Sequence, residues 1–182
     1  PLNEFRTPDL SFIEAACDEI STHVKNPVLV INESTSFPGT LRNIIKSRIE
    51  AKSTIKHLYA ASPERVDPGR EDWNQLNTPR LYAGLTPEAS KKAHDFYSSF
   101  CNQLIEVSSP EVAEAAKLFE NSFRQVNIAF VNEFAQIAHA LGIPVREVLD
   151  AAATKPYGFM KFMPSAGVGG HCIPVDPTYL AD

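Results

Sequence analysis

The segment GVGGHCIPVDP combines glycines, prolines, a thiol, an imidazole and a carboxylate. Gly169 and Gly170 allow a backbone to approach a ligand closely, and the prolines stiffen the turn. Cys172 is therefore presented on a shaped turn, with Asp176 as a candidate proton acceptor and His171 as a candidate to activate the thiol or cap the turn. These residues leave three interpretations open: a nucleophile, a structural turn, or a metal site. The metal site is the weakest, because there is no second ligand cluster.

Two other turns could carry chemistry because each follows a predicted strand. In SPERVDPG, Glu64 lies on a rigid turn, and in ESTSFPGT, Ser34 and Thr35 lie at the strand tip. Ligands of open α/β sheets bind at the carboxyl ends of the strands. Turn chemistry alone explains both segments equally well.

A third candidate is a pair on a predicted helix. Lys117 and Asn121 are four residues apart, so their side chains point the same way. A solvated lysine beside a polar neighbour gives the same spacing, so the pair by itself is weak evidence for a site.

Strand and helix signals alternate through the first hundred residues. TPDLSFIEAACDEISTHV predicts an amphipathic helix with Thr7 as its N-cap, Pro8 at its first position and Cys17 buried on the apolar face. The predicted strands are PVLVIN, IKHLYAAS, PRLYAG and NQLIEVS, and further helices are predicted in LRNIIKSRIE and TPEASKKAHDFYSSFC. This alternation indicates a mostly parallel sheet covered on both faces, the second half of a doubly wound, Rossmann-like α/β domain. No G-x-G-x-x-G follows any strand, so we expect that turn upstream of Pro1.

A long all-helical segment follows. SPEVAEAAKLFENSFRQVNIAFVNEFAQIAHALGIP predicts one helix over residues 109–142, roughly 50 Å long. One face carries apolar residues at steps of three and four: Phe119, Phe123, Val126, Phe130, Phe134, Ile137 and Leu141. Because so wide an apolar stripe needs a large partner surface, we expect a second domain or a second subunit to cover it. VREVLDAAA predicts one further short helix.

Composition excludes several classes of protein. The chain is 43% apolar and 21% charged with a formal net charge of −5, which argues against nucleic acid or an anionic membrane as the main partner. No apolar run approaches the roughly 20 residues of a membrane span, and the start has no signal-peptide pattern, so we expect a cytoplasmic protein. Three widely spaced cysteines give no disulfide framework. The first residue is Pro instead of Met, so we expect an excerpt of a longer protein.

Five segments, in this order, resemble the UDP-glucose/GDP-mannose dehydrogenase family: ESTSFPGT, SPERVDPG, SPEVAEAAKLFENSFRQVNIAFVNEFA, AAATKPYGF and GVGGHCIPVDPTYL. Within the family, the chain is most similar to the branch that oxidises UDP-N-acetylglucosamine or UDP-N-acetylmannosamine, and the resemblance covers essentially the whole chain. It implies that residues 1–108 are the C-terminal half of an NAD-binding domain. It implies that residues 109–182 are the central helical domain, which forms a homodimer through its long helix and ends in the cysteine loop. The C-terminal UDP-binding domain is expected downstream.

The resemblance also implies the reaction, a four-electron oxidation used in making surface polysaccharide precursors. The C6 alcohol of a UDP-N-acetylhexosamine becomes a carboxylate, with two NAD+ used in succession. Cys172 traps the intermediate aldehyde as a thiohemiacetal, which loses the second hydride to give a thioester that water cleaves.

By the same resemblance, Lys117 and Asn121 stabilise developing oxyanions, Asp176 assists the base and water, Glu64 acts in thioester hydrolysis, and Thr35 lies near the nicotinamide. The implied cofactor-binding residues are Ser34 and Thr35. The implied substrate-binding residues are Glu64, Arg65, Val66, Lys117, Asn121, Gly169 and Gly170. No metal is implied.

The chain departs from the family at two places. Pro68 stands where some members carry a second acid, and Lys155 is a candidate counterpart of an arginine found in the UDP-glucose branch. Because the chain lacks the pyrophosphate turn, we expect no NAD+ reduction by the chain alone. An alternative function is an inactive fragment that serves as a dimerisation or scaffold module. A cysteine acyl-transfer enzyme is a weaker alternative, because His171 directly precedes Cys172 and is poorly placed as its base.

Overall fold

The computed structural model describes residues 1–67, 69, 71–169 and 173–181 of the chain. The predictions for Pro68, Gly170, His171 and Cys172 therefore fall outside the described residues. The described part forms two compact units, residues 1–118 and residues 119–181.

The first unit contains a four-stranded sheet in the order β1-β2-β3-β4. The strands are β1 (Leu29–Asn32), β2 (Leu58–Ala61), β3 (Arg80–Gly84) and β4 (Leu104–Glu106), each inside a predicted strand segment. β1 and β2 are parallel, as are β3 and β4, whereas β2 and β3 are antiparallel. The reversal has a simple cause: the connection between β2 and β3 contains no crossover helix in its described part, so the chain turns back beside β2. The predicted α/β fold with a mostly parallel sheet is confirmed.

Helices form at the remaining predicted positions, together with one short helix that was not predicted. They are α1 (Ser11–His23), a π-helical segment (Thr40–Lys46) that continues into α2 (Ser47–Lys52), α3 (Pro87–Tyr97), α4 (Pro110–Ala140), α5 (Val145–Ala152) and α6 (Thr178–Ala181). The Thr86 side chain caps α3 by accepting a hydrogen bond from the Ala89 N–H at 3.2 Å. α4 is one helix of 31 residues, close to the prediction over 109–142. α6 was not predicted, because a four-residue helix leaves no periodic signal.

The predicted start of the first helix is wrong. α1 begins at Ser11, and Thr7 is not its N-cap. Instead, the Asn3 side-chain oxygen accepts hydrogen bonds from the Phe5 and Thr7 N–H groups, and Pro8 pairs with Leu2 in a β-bridge. An asparagine that bonds nearby backbone groups offers the chain an alternative to helix, and here it closes a turn before Asp9.

Apolar side chains cover the sheet on both faces. On one face, β2 packs with α1, the π-helical segment and α2 through Cys17, Leu41, Ile45, Ile49, Tyr59, Ala61 and Ala113. On the other face, α3 packs against Ala60 and Tyr82. Because neighbouring strand residues point to opposite faces, Tyr59 and Ala61 serve one layer and Ala60 the other. Cys17 is 2% exposed, so its predicted burial is confirmed.

Local hydrogen bonds stabilise the connection between β2 and β3. Asn77 donates to the Asp72 carbonyl at 2.8 Å, and its side-chain oxygen accepts from the Asn74 N–H at 2.8 Å. Residues 71–76 are exposed. The loop is therefore held by hydrogen bonds within it and by two bonds to the segment before β4, in which the Cys101 thiol donates to the Gln75 carbonyl and the Asn102 N–H donates to the Leu76 carbonyl.

In the second unit, α4 is the main element. Leu149 of α5 and Val131 of α4 are each 5% exposed, and the Asn132 side chain of α4 accepts a hydrogen bond from the Ser165 N–H at 2.8 Å. No helix in the described part of the chain is long and apolar enough to cross a membrane.

Candidate active site

The turns after β1 and β2 are joined by backbone hydrogen bonds. The Ser62 N–H donates to the Asn32 carbonyl at 2.9 Å, and the Glu64 N–H donates to the Glu33 carbonyl at 3.2 Å. Because β1 and β2 are parallel, their carboxyl ends meet at one edge of the sheet. The structure therefore brings the turn that carries Ser34 and Thr35 alongside the turn that carries Glu64.

The Glu64 carboxylate is held on both of its oxygens. Oε1 accepts hydrogen bonds from the Arg65 and Val66 N–H groups at 2.7 and 2.8 Å, and Oε2 pairs with Arg80 Nη2. Burial acts to raise the pKa of Glu64, but the two N–H groups and the Arg80 guanidinium outweigh it and lower the pKa below its ordinary value. Glu64 is therefore a carboxylate at neutral pH, able to accept a proton. Arg65 and Val66, which the resemblance assigns to substrate binding, use their backbone N–H groups to hold this carboxylate in the structure.

The turn after β1 presents two hydroxyl side chains at the edge of the sheet. Ser34 is exposed and Thr35 is partly exposed, and both lie at the carboxyl end of a parallel strand. Asn32 shapes this turn, since its side chain accepts from the Ser34 N–H at 3.3 Å and donates to Ser36 Oγ at 3.1 Å. Hydroxyl groups at such a position match the binding crevice of doubly wound folds. The sequence contains no G-x-G-x-x-G.

The first turns of α4 carry Lys117, which is partly exposed, and Glu114, which is 1% exposed. Glu114 accepts hydrogen bonds from the Gly39 N–H at 2.6 Å and the Leu41 N–H at 2.9 Å. Gly39 has φ +95°, a conformation that favours glycine. Glu114 thereby ties α4 to the end of the ESTSFPGT turn. Sequence reasoning missed Glu114, whose only signal is an acid among alanines on the helix.

In the second unit, the structure brings together Asn121 and Asp176. Asn121 Nδ2 donates to Asp176 Oδ2, and Asp176 is 5% exposed. Local hydrogen bonds shape the turn around Asp176: the Thr178 N–H bonds the Val175 carbonyl and the Tyr179 N–H bonds the Asp176 carbonyl, both at 3.0 Å. This pairing gives the carboxylate a fixed direction, as a proton acceptor requires.

The glycines before the cysteine have different environments. Gly167 has φ +132°, which an L-residue rarely adopts. Gly169 is exposed, and a Cβ atom added to it would meet nothing within 4 Å, so there is open space for a ligand. Gly170 and Cys172 lie outside the described residues. Lys155 is exposed, with Nζ 4.8 Å from the centre of the Tyr157 ring.

Sequence reasoning also missed the residues that surround Glu64. Arg80 Nη1 donates to Glu33 Oε1 at 2.7 Å, the Tyr97 hydroxyl donates to the same oxygen at 2.6 Å, and the Arg80 guanidinium lies 4.5 Å from the Tyr97 ring centre. The available signal was the arginine of PRLYAG, which begins an apolar strand. A charged side chain in such a strand needs a partner of opposite charge. The partners themselves are far away in the sequence.

Comparison with known families gives two matches. The description "UDP-glucose/GDP-mannose dehydrogenase family, NAD binding domain" fits residues 1–101, and "UDP-glucose/GDP-mannose dehydrogenase family, central domain" fits residues 111–182. The chain therefore contains sequence of an NAD-binding domain of oxidoreductases.

Individual relatives agree with these matches. The chain is 38% identical to the UDP-N-acetyl-D-mannosamine dehydrogenase of Pyrococcus horikoshii, across 95% of the chain and 42% of that protein. It is also 38% identical to the UDP-N-acetyl-D-glucosamine 6-dehydrogenase of Pseudomonas aeruginosa, across 99% of the chain and 43% of that protein. The solved UDP-D-ManNAc dehydrogenase structure from Pyrococcus horikoshii superposes with a TM-score of 0.86 at 36% identity, covering 98% of the chain and 43% of the solved chain. The chain thus spans less than half the length of these relatives, and it belongs to the UDP-glucose/GDP-mannose dehydrogenase family.

Proposed function

We propose that the chain is part of an NAD-dependent nucleotide-sugar 6-dehydrogenase that oxidises the C6 alcohol of a UDP-N-acetylhexosamine to a carboxylate. The observation that carries the proposal is the ionised Glu64 beside the Ser34–Thr35 turn at the carboxyl ends of β1 and β2. Two relatives of equal identity are named for the manno and the gluco sugar, so the proposal covers both epimers.

In this proposal, the candidate site residues have different tasks. Bound NAD+ supplies the hydride acceptor, and Ser34 and Thr35 would hold its nicotinamide end. Lys117 and Asn121, one helical turn apart, stabilise negative charge on the sugar oxygen, because fixed donors cost no reorganisation when charge develops. These roles need only the residue types and the spacing described above.

Proton transfer and covalent catalysis complete the proposed reaction. Asp176 accepts the proton of the C6 alcohol through the oriented groups around it. Loss of one C6 hydride to NAD+ would convert the alcohol to the aldehyde. The Cys172 thiolate then adds to the aldehyde carbon, and loss of the remaining C6 hydride to a second NAD+ would convert this thiohemiacetal to a thioester. Glu64 accepts a proton from the water that attacks the thioester carbon, and the C–S bond breaks to release the carboxylate and the free thiol.

We also propose the division into a half NAD-binding domain, residues 1–108, and a central domain, residues 109–182, that forms a homodimer through α4. The exposed apolar side chains of α4 favour a partner surface: Phe119 and Phe130 are each 69% exposed, and Leu141 is 67% exposed. The same observation favours the second candidate function, a dimerisation or scaffold module without activity of its own.

The decisive experiment uses the full-length protein that contains this chain. Incubation with a UDP-N-acetylhexosamine and NAD+ should yield two NADH for each sugar consumed. Cys172→Ser should abolish this turnover, because a hydroxyl is a much weaker nucleophile than a thiolate at neutral pH. The 182-residue chain alone should reduce no NAD+.

A matched control is Cys101→Ser. The Cys101 thiol is buried and donates to the Gln75 carbonyl at 3.3 Å, a bond that a serine hydroxyl can replace. This variant should keep the wild-type stoichiometry. If Cys172→Ser kept both rate and stoichiometry, the proposed mechanism would be wrong, and turnover by the chain alone would contradict the assignment of a partial site.

A further inference from the structure

Arg80 is a buried cation at the edge of the sheet where the candidate site lies. Its side chain is 6% exposed, although it is the first residue of β3. Because β3 runs antiparallel to β2, its first residue lies at the carboxyl end of β2. A guanidinium is always charged, so its burial is tolerated only with strong partners.

Those partners come from three different parts of the first unit. Arg80 pairs with Glu33, which follows β1, and with Glu64, which follows β2. It also bonds the Ser62 carbonyl and hydroxyl at 3.3 Å each, and it stacks on the ring of Tyr97 from α3. A planar fork of donors that also stacks on an aromatic ring is a geometry that arginine provides and lysine does not.

The same network links the two turns of the candidate site. Glu33 immediately precedes Ser34, and Glu64 lies on the turn whose amides were predicted to contact substrate. The Tyr97 hydroxyl fixes Glu33 from the other side, and Tyr97 is fully buried. A shift of Arg80 would therefore remove one partner from both carboxylates at once.

We infer that Arg80 is a positioning residue that fixes the direction and the charged state of the Glu64 carboxylate and joins it to the cofactor-side turn through Glu33. This inference rests on the proposed function for its effect on turnover, but the geometry concerns the chain alone. Arg80 itself needs no contact with substrate. Its removal should impair the step that uses Glu64 as a proton acceptor more than it impairs substrate binding.

The first test reads Glu64 directly, by NMR titration of its side-chain carboxyl carbon in the chain. The charged or titratable groups facing it are Arg80 from β3 and, through Arg80, Glu33 after β1 and Tyr97 of α3; Arg65 is its neighbour on its own turn. Arg80→Gln should raise the pKa of Glu64, because the stabilising cation is lost. Arg80→Lys should raise it less.

A second variant should shift the pKa of Glu64 in the opposite direction, and its result does not depend on whether Arg80→Gln folds. Glu33→Gln removes a neighbouring negative charge and leaves Arg80 to Glu64 alone, so the pKa of Glu64 should fall. Glu33 is half exposed, which makes this substitution mild. Arg42→Gln is the matched control: Arg42 pairs with Glu111 at 2.7 Å on the surface, and its loss should leave the Glu64 titration unchanged.

The second test measures turnover of the full-length protein against pH. Arg80→Gln should lower kcat by roughly tenfold or more, since acid–base catalysis typically contributes about 10²–10⁴-fold, and should change KM for the nucleotide sugar little. It should also move the acidic limb of the kcat profile to higher pH, with partial recovery in Arg80→Lys. A purely structural role would lower kcat without moving that limb.

The two tests separate the proposed function from the proposed role of Arg80. If wild-type protein does not oxidise a nucleotide sugar, the proposed function fails, while the titration of Glu64 still decides the role of Arg80. The inference is overturned if Glu33→Gln and Arg80→Gln leave the titration of Glu64 unchanged, or move it in the same direction.

Discussion

Glu114 illustrates how burial sets the charge of a single residue. It is almost completely buried, and its two oxygens accept the Gly39 and Leu41 N–H groups. Burial raises its pKa from the ordinary 4.5 to about 7, although both N–H groups act to lower it. The folded protein therefore binds this proton more tightly than the unfolded chain does, so the folded state loses stability as pH rises from 4.5 through 7.

This predicts a specific pH dependence for Glu114→Gln. The unfolding free energy of the wild type should fall between about pH 5 and pH 8, by roughly 1.4 kcal/mol for each unit of raised pKa. Glu114→Gln should show a flatter profile, because its amide does not ionise. Denaturant unfolding at several pH values measures the difference.

The control is Glu88→Gln, an exposed acid in the first turn of α3. Its profile should keep the wild-type fall between about pH 5 and pH 8, because the Glu114 carboxyl is intact. Parallel profiles for wild type and Glu114→Gln would contradict the raised pKa of Glu114.

At the level of elements, the close contact between β3 and α3 depends on Gly84. Its N–H donates to Ser90 Oγ at 2.9 Å. A Cβ atom at this position would lie 2.2 Å from the Ser90 backbone nitrogen and 2.6 Å from the Ala89 carbonyl carbon. Both are backbone atoms, so they cannot move away as a side chain could.

Gly84→Ala should therefore destabilise the first unit by roughly 1–3 kcal/mol or more, the usual range for overpacking. Gly169→Ala is the control, because its Cβ would meet nothing within 4 Å and its φ is not positive. Thermal or denaturant unfolding should show a large loss for the first variant and little for the second. Equal stability of Gly84→Ala and wild type would mean that α3 can shift away from β3.

The elements were largely predictable, because their signals are local. The apolar run of PVLVIN, the Thr-Pro start of α3 and the three-and-four spacing of α4 each act over a few residues, and all three elements are present. The first helix start was mispredicted because Asn3 competes for backbone donors through a bond that periodicity does not reveal.

The site was predictable only in part. The strand-tip position of Glu64 followed from the order of elements, but Arg80, Glu33 and Tyr97 come together only after the sheet has formed. Their separation along the chain leaves no local pattern for such a network. The roles of Cys172 and Gly170 remain predictions from the resemblance, since these residues lie outside the described part.

At the scale of the whole molecule, the described part of the chain exposes an extended apolar surface on α4. Beside the exposed stripe of α4, the second unit has a cavity of about 630 Å³, whose lining includes Phe123, Phe130, Phe134, Phe159, Met160 and Phe162. Exposed apolar patches of this kind mark association surfaces. A homodimer through α4 would cover them.

We predict that Phe130→Glu shifts the protein from dimer to monomer without loss of folding. Phe130 is 69% exposed, so a carboxylate there is solvated in the monomer but desolvated in a dimer. Gln136→Glu adds the same charge at an exposed position away from the stripe and should remain dimeric. Sedimentation analysis of the full-length protein measures the mass, and a dimeric Phe130→Glu would contradict an interface at this position.

The connection between β2 and β3 has a consequence for how this protein can change over evolutionary time. Arg80 is placed by its pairing with Leu104 on β4 and by the antiparallel return of β3, while the exposed loop before it is held by its own asparagines and by the bonds of the Gln75 and Leu76 carbonyls to the segment before β4. The loop tip can therefore accept insertions or be exchanged between homologues without displacing the guanidinium. Sequence drift should accumulate around Trp73, before the bonded carbonyls of Gln75 and Leu76, which makes this part of the loop a suitable place to graft a peptide tag or a fluorescent reporter.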